Sequence, residues 1–510
     1  MKKTPLEKNP RSAAASPWQL LDIFDDVDDV LWCWESIFKN TISNHIKPRK
    51  VKVRSENQPW MTGSIRKEIN KRFRLFNKAK LSGKNSPEWK EYKKIRNSCT
   101  NLIRRTKAEY WKKEFQKSTN SKTFWKTVKK FNGDTKAAVI GPLSDNSIML
   151  TDNSQKANLM NTFFANVGRN LASKTSSNNT NLHVYRVTPT ISNISPNIKT
   201  FAKSFTSAVK IDKSCGPDEI TAKELLINTE VSISGLYTIL KKSIETETFP
   251  NKWKTAKVIC VHIKGSKKEC TNYRPISLLS IPSKVIEHFT SLTIKYHLES
   301  LNLLSEFQWG FRKQRSTEDL LLHMTERWLR ALDEGKSVAV LFIDYQKAFD
   351  TVSHPILLKK LAACGISGSL LAFMQSYLSE RKQYTVVNNV QSEIEAVDYG
   401  VPQGSLLGPN CFSININDMP NEMVNNDQDG EINLFADDST AFTIANTVDD
   451  AISNMITTAE NISEYSHRNS LTIHPEKCKL MVLSKERTFG PRQTIKSMEN
   501  TLILLKITNV

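Results

Sequence analysis

Two adjacent carboxylates, Asp437 and Asp438, lie between the short runs Ile432-Asn433-Leu434-Phe435 and Ser439-Thr440-Ala441-Phe442-Thr443. Runs of that length around a polar pair predict a tight β-hairpin with both carboxylates at its tip. A third carboxylate, Asp344, follows the apolar run Ser337 to Ile343, which predicts a strand buried on both faces and opening to solvent at its end. Mg²⁺ is hard and small, and it binds through one or two carboxylates while phosphates and water complete its octahedron. Two such ions activate an attacking hydroxyl and stabilise the leaving oxygen of one in-line displacement. Three aspartates on two strand ends therefore suit phosphoryl transfer. Other Asp-Asp pairs, at 25–26, 28–29 and 449–450, stand in polar surroundings that suit the first turn of a helix.

The elements that must position these groups are legible around them. Ala451, Ile452, Met455, Ile456, Ala459 and Ile462 form a helical stripe that predicts a helix covering one face of the sheet. Leu471-Thr472-Ile473 and Lys479 to Leu483 read as strands flanking Lys477, and Val258 to Ile263 reads as a strand followed by Lys264 and Gly265. Gly400-Val401-Pro402-Gln403-Gly404-Ser405 reads as a turn before a helix. Its glycines permit close backbone approach to a ligand, and Gln403 offers both a donor and an acceptor.

Seven segments, in order, resemble the reverse transcriptases of non-LTR retrotransposons of the long interspersed element class, the jockey-like elements among them. They are Lys213 to Asp218, Asn272-Tyr273-Arg274-Pro275-Ile276-Ser277-Leu278-Leu279, Gln308-Trp309-Gly310-Phe311-Arg312, Phe342 to Asp350, Gly400 to Ser405, Phe435-Ala436-Asp437-Asp438, and Leu471 to Leu483 with Lys477. Phe435 stands where the family's better-known hairpin begins with Tyr. The resemblance implies an α+β right-hand polymerase with an antiparallel palm sheet, partial fingers and an RNA-directed DNA polymerase activity. It implies an RNA template, a DNA primer and dNTPs as partners, and two Mg²⁺ ions, with Mn²⁺ an alternative, on Asp344, Asp437 and Asp438. Arg274 resembles the triphosphate-binding arginine and Lys264 its assistant; a surface salt bridge is the competing role for each. Phe349 resembles the steric gate against a ribose 2′-hydroxyl, with core packing as the alternative. Gln403 and Gly404 correspond to residues that position the nascent pair, and Gln308 to Arg312 to a contact with template and incoming base. Lys477 corresponds to the candidate general acid for pyrophosphate, in competition with Lys479.

The whole chain of 510 residues carries a formal net charge of +20, which points to a polyanionic partner. Residues 66–130 hold 22 Lys and Arg against 5 Glu, so the positive charge is concentrated. Trp89, Trp111, Phe115, Trp125 and Phe131 interleave with these cations and serve either as stacking platforms for bases or as core. The expected organisation is a basic helical nucleic-acid-binding region over 1–135, a connector over 136–210, a polymerase over 211–485 (fingers 211–330, palm 331–485) and an incomplete tail over 486–510. Nothing before Pro59 supplies the carboxylates and histidines of the endonuclease that precedes the polymerase in family members, and neither a thumb nor a zinc knuckle is recognisable after 485. The expectation is a truncated copy, with a catalytically silent RNA- or DNA-binding remnant or a maturase-like RNA-binding protein as the alternative. The eight scattered cysteines indicate neither a disulfide framework nor a zinc site. With no membrane-length apolar run and no signal core, the chain is expected to be intracellular, cytoplasmic or nuclear; the oligomeric state is not encoded in any feature found.

Overall fold

The computed structural model of the chain describes residues 16–45, 58–132, 139–145, 148–175, 190–423, 430–485 and 508–509. Residues 1–47 and 140–510 form one unit, and residues 48–139 form another.

The first unit begins with helix α1 (Val27–His45), whose first turn carries Asp28 and Asp29 as the macrodipole favours. Val27, Val30, Leu31, Trp34 and Phe38 recur at helical spacing and are buried in the main core. The N-terminal stretch therefore does not belong with the basic region, contrary to the expected 1–135 grouping. Its apolar stripe can be covered only by the large core.

The second unit is three helices, α2 (Gly63–Ser82), α3 (Pro87–Gln116) and α4 (Ser121–Asn132). Thr62 and Ser86 cap α2 and α3 by accepting from the amides of Ile65 and Trp89. The buried Trp111 sits among Trp60, Tyr110, Phe115 and Phe131, with ring centroids 5.2–6.5 Å from its own. Phe124, Trp125 and Phe131 remain exposed, Trp125 at 59%.

Strands β1 (Leu143–Asp145) and β2 (Ile148–Leu150) form a hairpin ahead of helix α5 (Asn153–Thr175). This stretch, expected as a connector, packs through α5 against the strands Thr255–His262 and Arg381–Val387. Met160 and Phe164 are buried, and the buried Asn161 donates to Glu393 O at 2.9 Å and accepts from Thr385 Oγ1 at 3.0 Å. A polar residue satisfied inside an interface breaks the apolar stripe that would have revealed it.

Two five-stranded sheets carry the rest. In the first, β3 (Thr255–His262) pairs antiparallel with β4 (Tyr273–Leu278) and parallel with β6 (Arg381–Val387), to which the short β7 (Val390–Gln391) and β8 (Glu395–Val397) also pair. Residues 381–397, expected in the palm, thus return to the sheet of β3 and β4. In the second sheet, β5 (Ser337–Ile343) is flanked by β10 (Asp438–Ala445) and β11 (Lys479–Leu483), with β9 (Gly430–Phe435) beyond β10. These pairings are antiparallel; Thr508–Asn509 adds a short parallel strand to β11. The remaining tail, 486–507 and 510, lies outside the described residues, and with it the expected incomplete thumb.

β5 is buried on both faces as its unbroken apolar run predicts. Ala339, Leu341 and Ile343 share the main core with Ala451, Met455, Ala459 and Ile462 of the helix Val448–Arg468. On the other face, Val338, Val340, Phe442 and Ile444 pack against Leu320, Met324 and Ala331 of the helix Thr317–Asp333. The packing stops short of the end of β5, where Phe342 is 37% exposed and Asp344 follows. No helix among the described residues is long and apolar enough to cross a membrane.

Candidate active site

Strand register brings the acidic groups together. Ser439 lies opposite Ile343, so the next row sets Asp438 beside Asp344. Residues directly opposite in an antiparallel pair point to the same face. Phe435 pairs with Asp438, which leaves Ala436 and Asp437 as a two-residue turn at the tip. On the far side of β5, Gln346 N donates to Thr472 O and His474 N to Asp344 O, each at 2.8 Å, so the backbone through Asp344 is held on both flanks. Lys477 then places Nζ 2.9 Å from Asp344 Oδ1.

The tip itself is constrained. Ala436 adopts φ +57°, a left-handed conformation that a non-glycine residue holds only when its surroundings impose it. The segment 307–310 imposes it here: Leu434 N donates to Phe307 O at 2.9 Å, and Trp309 N donates to Leu434 O at 2.8 Å. Gly310 lies so close that a Cβ there would overlap Ala436 N. Trp309 Nε1 donates to Asn433 Oδ1 at 3.0 Å, and Arg312 forks onto Glu299 with contacts of 3.1 and 2.8 Å. Gln308 and Trp309 therefore buttress the hairpin and Arg312 is held by Glu299, whereas the sequence suggested a template and base contact. Of that motif, Phe311 remains exposed.

Burial, reinforced by the Asp437 and Asp344 carboxylates, pushes the Asp438 carboxyl above its ordinary range. Mutual repulsion among three acids is relieved by a cation, and the ammonium of Lys477 on Asp344 shows that this carboxylate accepts one. Among the described residues no group of three or more acidic, His or Cys side chains is spaced to hold a metal ion by itself. An all-oxygen, incomplete set of this kind suits a hard divalent ion that draws its other ligands from water and phosphate.

A cationic group adjoins the acids. Lys347, at φ +50°, donates Nζ to Tyr273 O at 3.2 Å. Burial is the main cause that lowers the Lys347 ammonium, Asp350 opposes it, and the positive charges of Arg274 and Lys477 add to it. Arg274, Lys347 and Lys477 thus share one neighbourhood. The sequence singled out no role for the Lys347 side chain; the available signal for it was its place three residues after Asp344. Lys264 is exposed on the loop after β3, with no contact to the acids among the described residues.

The glycine-bearing loop sits against the same strand. Ser277 N donates to Gln403 O at 2.9 Å, and Gly404, at φ +127°, would place a Cβ 2.6 Å from Ser277 O. Its far end is fixed by Ser405 Oγ, which accepts from the amides of Leu407 and Gly408, and by the buried Glu287, which accepts from Leu406 N at 2.8 Å. Phe349 is half-buried and stacks on Phe412 at 4.5 Å, with Phe311 edge-on at 6.5 Å. Gln403 Nε2 donates to Asp350, a residue the sequence did not single out, at 2.9 and 3.1 Å.

Residues 265–497 match the family model described as reverse transcriptase (RNA-dependent DNA polymerase). Residues 61–120 match the model described as female sterile protein K10 C-terminal domain. The chain is 28% identical over 280 residues to the RNA-directed DNA polymerase from mobile element jockey of Drosophila melanogaster, an alignment covering 54% of this chain and 30% of that protein. It is 29% identical over 300 residues to the probable RNA-directed DNA polymerase from transposon BS of the same organism, covering 57% of this chain and 31% of that protein. A retrovirus-related Pol polyprotein from type-1 retrotransposable element R2 of Popillia japonica aligns over 154 residues at 29% identity, covering 28% and 24%. The chain spans about 30% of the length of the jockey and BS relatives. Ordered motifs, two sheets with a hairpin of carboxylates, and these matches agree that residues 265–497 form a reverse transcriptase domain, with the polymerase palm and fingers that such a domain implies.

Proposed function

We propose that this chain adds deoxynucleotides to a primer 3′-end under the direction of an RNA template. The observation that carries the reading is the strand register that sets Asp438 beside Asp344, with Lys477 hydrogen-bonded to Asp344 and Asp437 at a tip that Gly310 presses against. Asp344, Asp437 and Asp438 would hold two Mg²⁺, and Mn²⁺ would substitute. Divalent ions supply activation of the 3′-hydroxyl and neutralisation of charge on the leaving pyrophosphate. The chain's own residues supply the rest. Arg274 and Lys347 bind triphosphate oxygens, with Lys264 an outer cation. Lys477 leaves Asp344 for the pyrophosphate and carries the proton that the leaving oxygen takes up. Phe349, backed by Phe412, limits the space at the sugar and so favours a deoxyribose. Gln403 and Gly404 line the nascent pair.

The basic unit, residues 58–132, binds the nucleic acid that the polymerase copies. Its cations give salt-dependent phosphate affinity, and its exposed aromatics offer stacking faces. The test is primer extension by the purified chain on an RNA template with dNTPs and Mg²⁺, beside Asp437→Asn, with template binding measured separately. Extension by the wild type alone supports the reading. Binding without extension by either protein would replace it with a silent RNA-binding remnant.

A further inference from the structure

Asp350 is a partly buried carboxylate that no proposed chemical step uses. It follows Phe349, and the backbone packs tightly around it: a Cβ on Gly400 would stand 2.7 Å from Asp350 Cα, and one on Gly168 of α5 would overlap Asp350 O. Its two oxygens both accept from Gln403 Nε2, at 2.9 and 3.1 Å. Gln403 Oε1 has no hydrogen-bond partner among the described residues, and the residue is only partly buried. An ionised carboxylate accepts and cannot donate, so it holds a neighbouring amide with nitrogen inward and carbonyl outward. An Asn in the same place would tolerate either orientation.

We infer that Asp350 is a positioning residue that locks the Gln403 amide so that Oε1 faces the incoming nucleotide as a hydrogen-bond acceptor. The inference rests on the polymerase reading and deepens it, because it makes the ligand group met by Gln403 a donor, an N–H or O–H of the nucleotide or its template partner. Electrostatics agree with the geometry. Burial raises the Asp350 carboxyl to about 6, against the pull of the Gln403 hydrogen bond and of Lys347 and Arg274. Arg381, Lys382 and Gln383 of β6 and Tyr399 line the same cavity, and a carboxyl at about 6 is mostly ionised at neutral pH. When it is protonated it can donate to Oε1, and the amide is free to turn.

The test uses the full chain as wild type, Asp350→Asn, Gln403→Glu and the double exchange. Asp350→Asn should raise the KM for dNTP about tenfold while kcat changes less, as expected for one lost, well-aligned hydrogen bond. It should also remove the rise in wild-type KM as pH falls through about 6. Gln403→Glu alone sets two carboxylates in contact and should be the worst. In the double exchange the amide introduced at position 350 donates to the carboxylate introduced at position 403, whose second oxygen again faces outward, so KM should recover to within about threefold of wild type. Urea unfolding of the same four proteins needs no substrate and should show the same coupling. Additive stability effects would refute the contact. Coupled stability with an unchanged KM and pH profile in Asp350→Asn would refute the positioning role. A wild type that adds no nucleotide would refute the polymerase reading instead, and the unfolding cycle would still decide whether the lock exists.

Discussion

The carboxylate hairpin and the basic helical unit hold charge in opposite ways. At the hairpin, three acids stand on backbone that is paired on both flanks, with a glycine of another segment pressed against the turn. In the basic unit the cations of residues 66–130 whose side chains are described stand almost without exception exposed. Even the ion pairs of Arg105 with Glu109 and Lys117 with Glu114 are local ones, within a turn of the same helix. Phosphoryl transfer requires atoms fixed to a fraction of an ångström, whereas phosphate affinity requires only many cations on a stable carrier. Register serves the first need and helix surface the second. The contrast predicts that small changes at the hairpin are severe and that single changes in the basic unit are mild.

The largest effect should follow Asp344→Asn, which removes a carboxylate and the partner of Lys477 together. Nucleotide addition should fall by at least about 10³, the scale of several kcal/mol of lost charge stabilisation. Template affinity, measured by fluorescence anisotropy, should stay within about threefold. A parallel loss of binding would mean that the two regions are not separable.

Stability should also respond to pH in the polymerase unit more than in the basic one. The Asp350 carboxyl lies at about 6 in the fold, above the ordinary 3.8. A raised folded value means that the native state binds the proton more tightly than the unfolded chain does. The stabilisation is thus complete below about pH 4 and is lost as pH rises through about 6, by on the order of 3 kcal/mol in all. Urea unfolding of wild type minus Asp350→Asn isolates this slope from other acids and histidines. A difference that is flat with pH would show that the carboxyl is not held high.

Gly310→Ala tests the buttress more gently. The added methyl would overlap Ala436 N and would have to displace it, and with it the tip that carries Asp437. Misplacement on the ångström scale should reduce kcat by tens of fold, with far-ultraviolet circular dichroism unchanged. An active Gly310→Ala would show that the hairpin tolerates movement and that the contrast between the two regions is overdrawn.

Legibility in the sequence followed the same division between local and distant signals. Asp344, Asp437 and Asp438 were readable because each ends or joins an apolar run whose period announces a strand. The stripe of the helix Val448–Arg468 and the long basic helix α3 were readable for the same reason. The return of Arg381–Val387 to pair with β3 was not, since Thr255 and Lys382 meet across more than a hundred residues with nothing local to mark it. Nor was the docking of α5, whose interface is built on Asn161, or the inward use of Trp309 and Arg312, whose motif suggested ligand contact. The Asp350–Gln403 pair joins two motifs that were each recognised, yet only the fold brings them within 2.9 Å.

The smallest effect should come from the basic unit, and it discriminates between the two roles open to its aromatics. Trp111 is buried among four rings, so Trp111→Ala should unfold the unit and say nothing about stacking. Trp125 is exposed on α4, with Lys129 one turn on, and contributes little to that core. Stacking on a base is worth about 1–3 kcal/mol, so Trp125→Ala should weaken binding of single-stranded RNA by about fivefold or more. Its salt dependence should not change, because no phosphate contact is lost. Binding of duplex RNA, whose bases are already stacked on one another, should be unaffected. Equal losses on single-stranded and duplex RNA would mean that Trp125 supports the helix surface rather than a base, and the unit would then act through its charge alone.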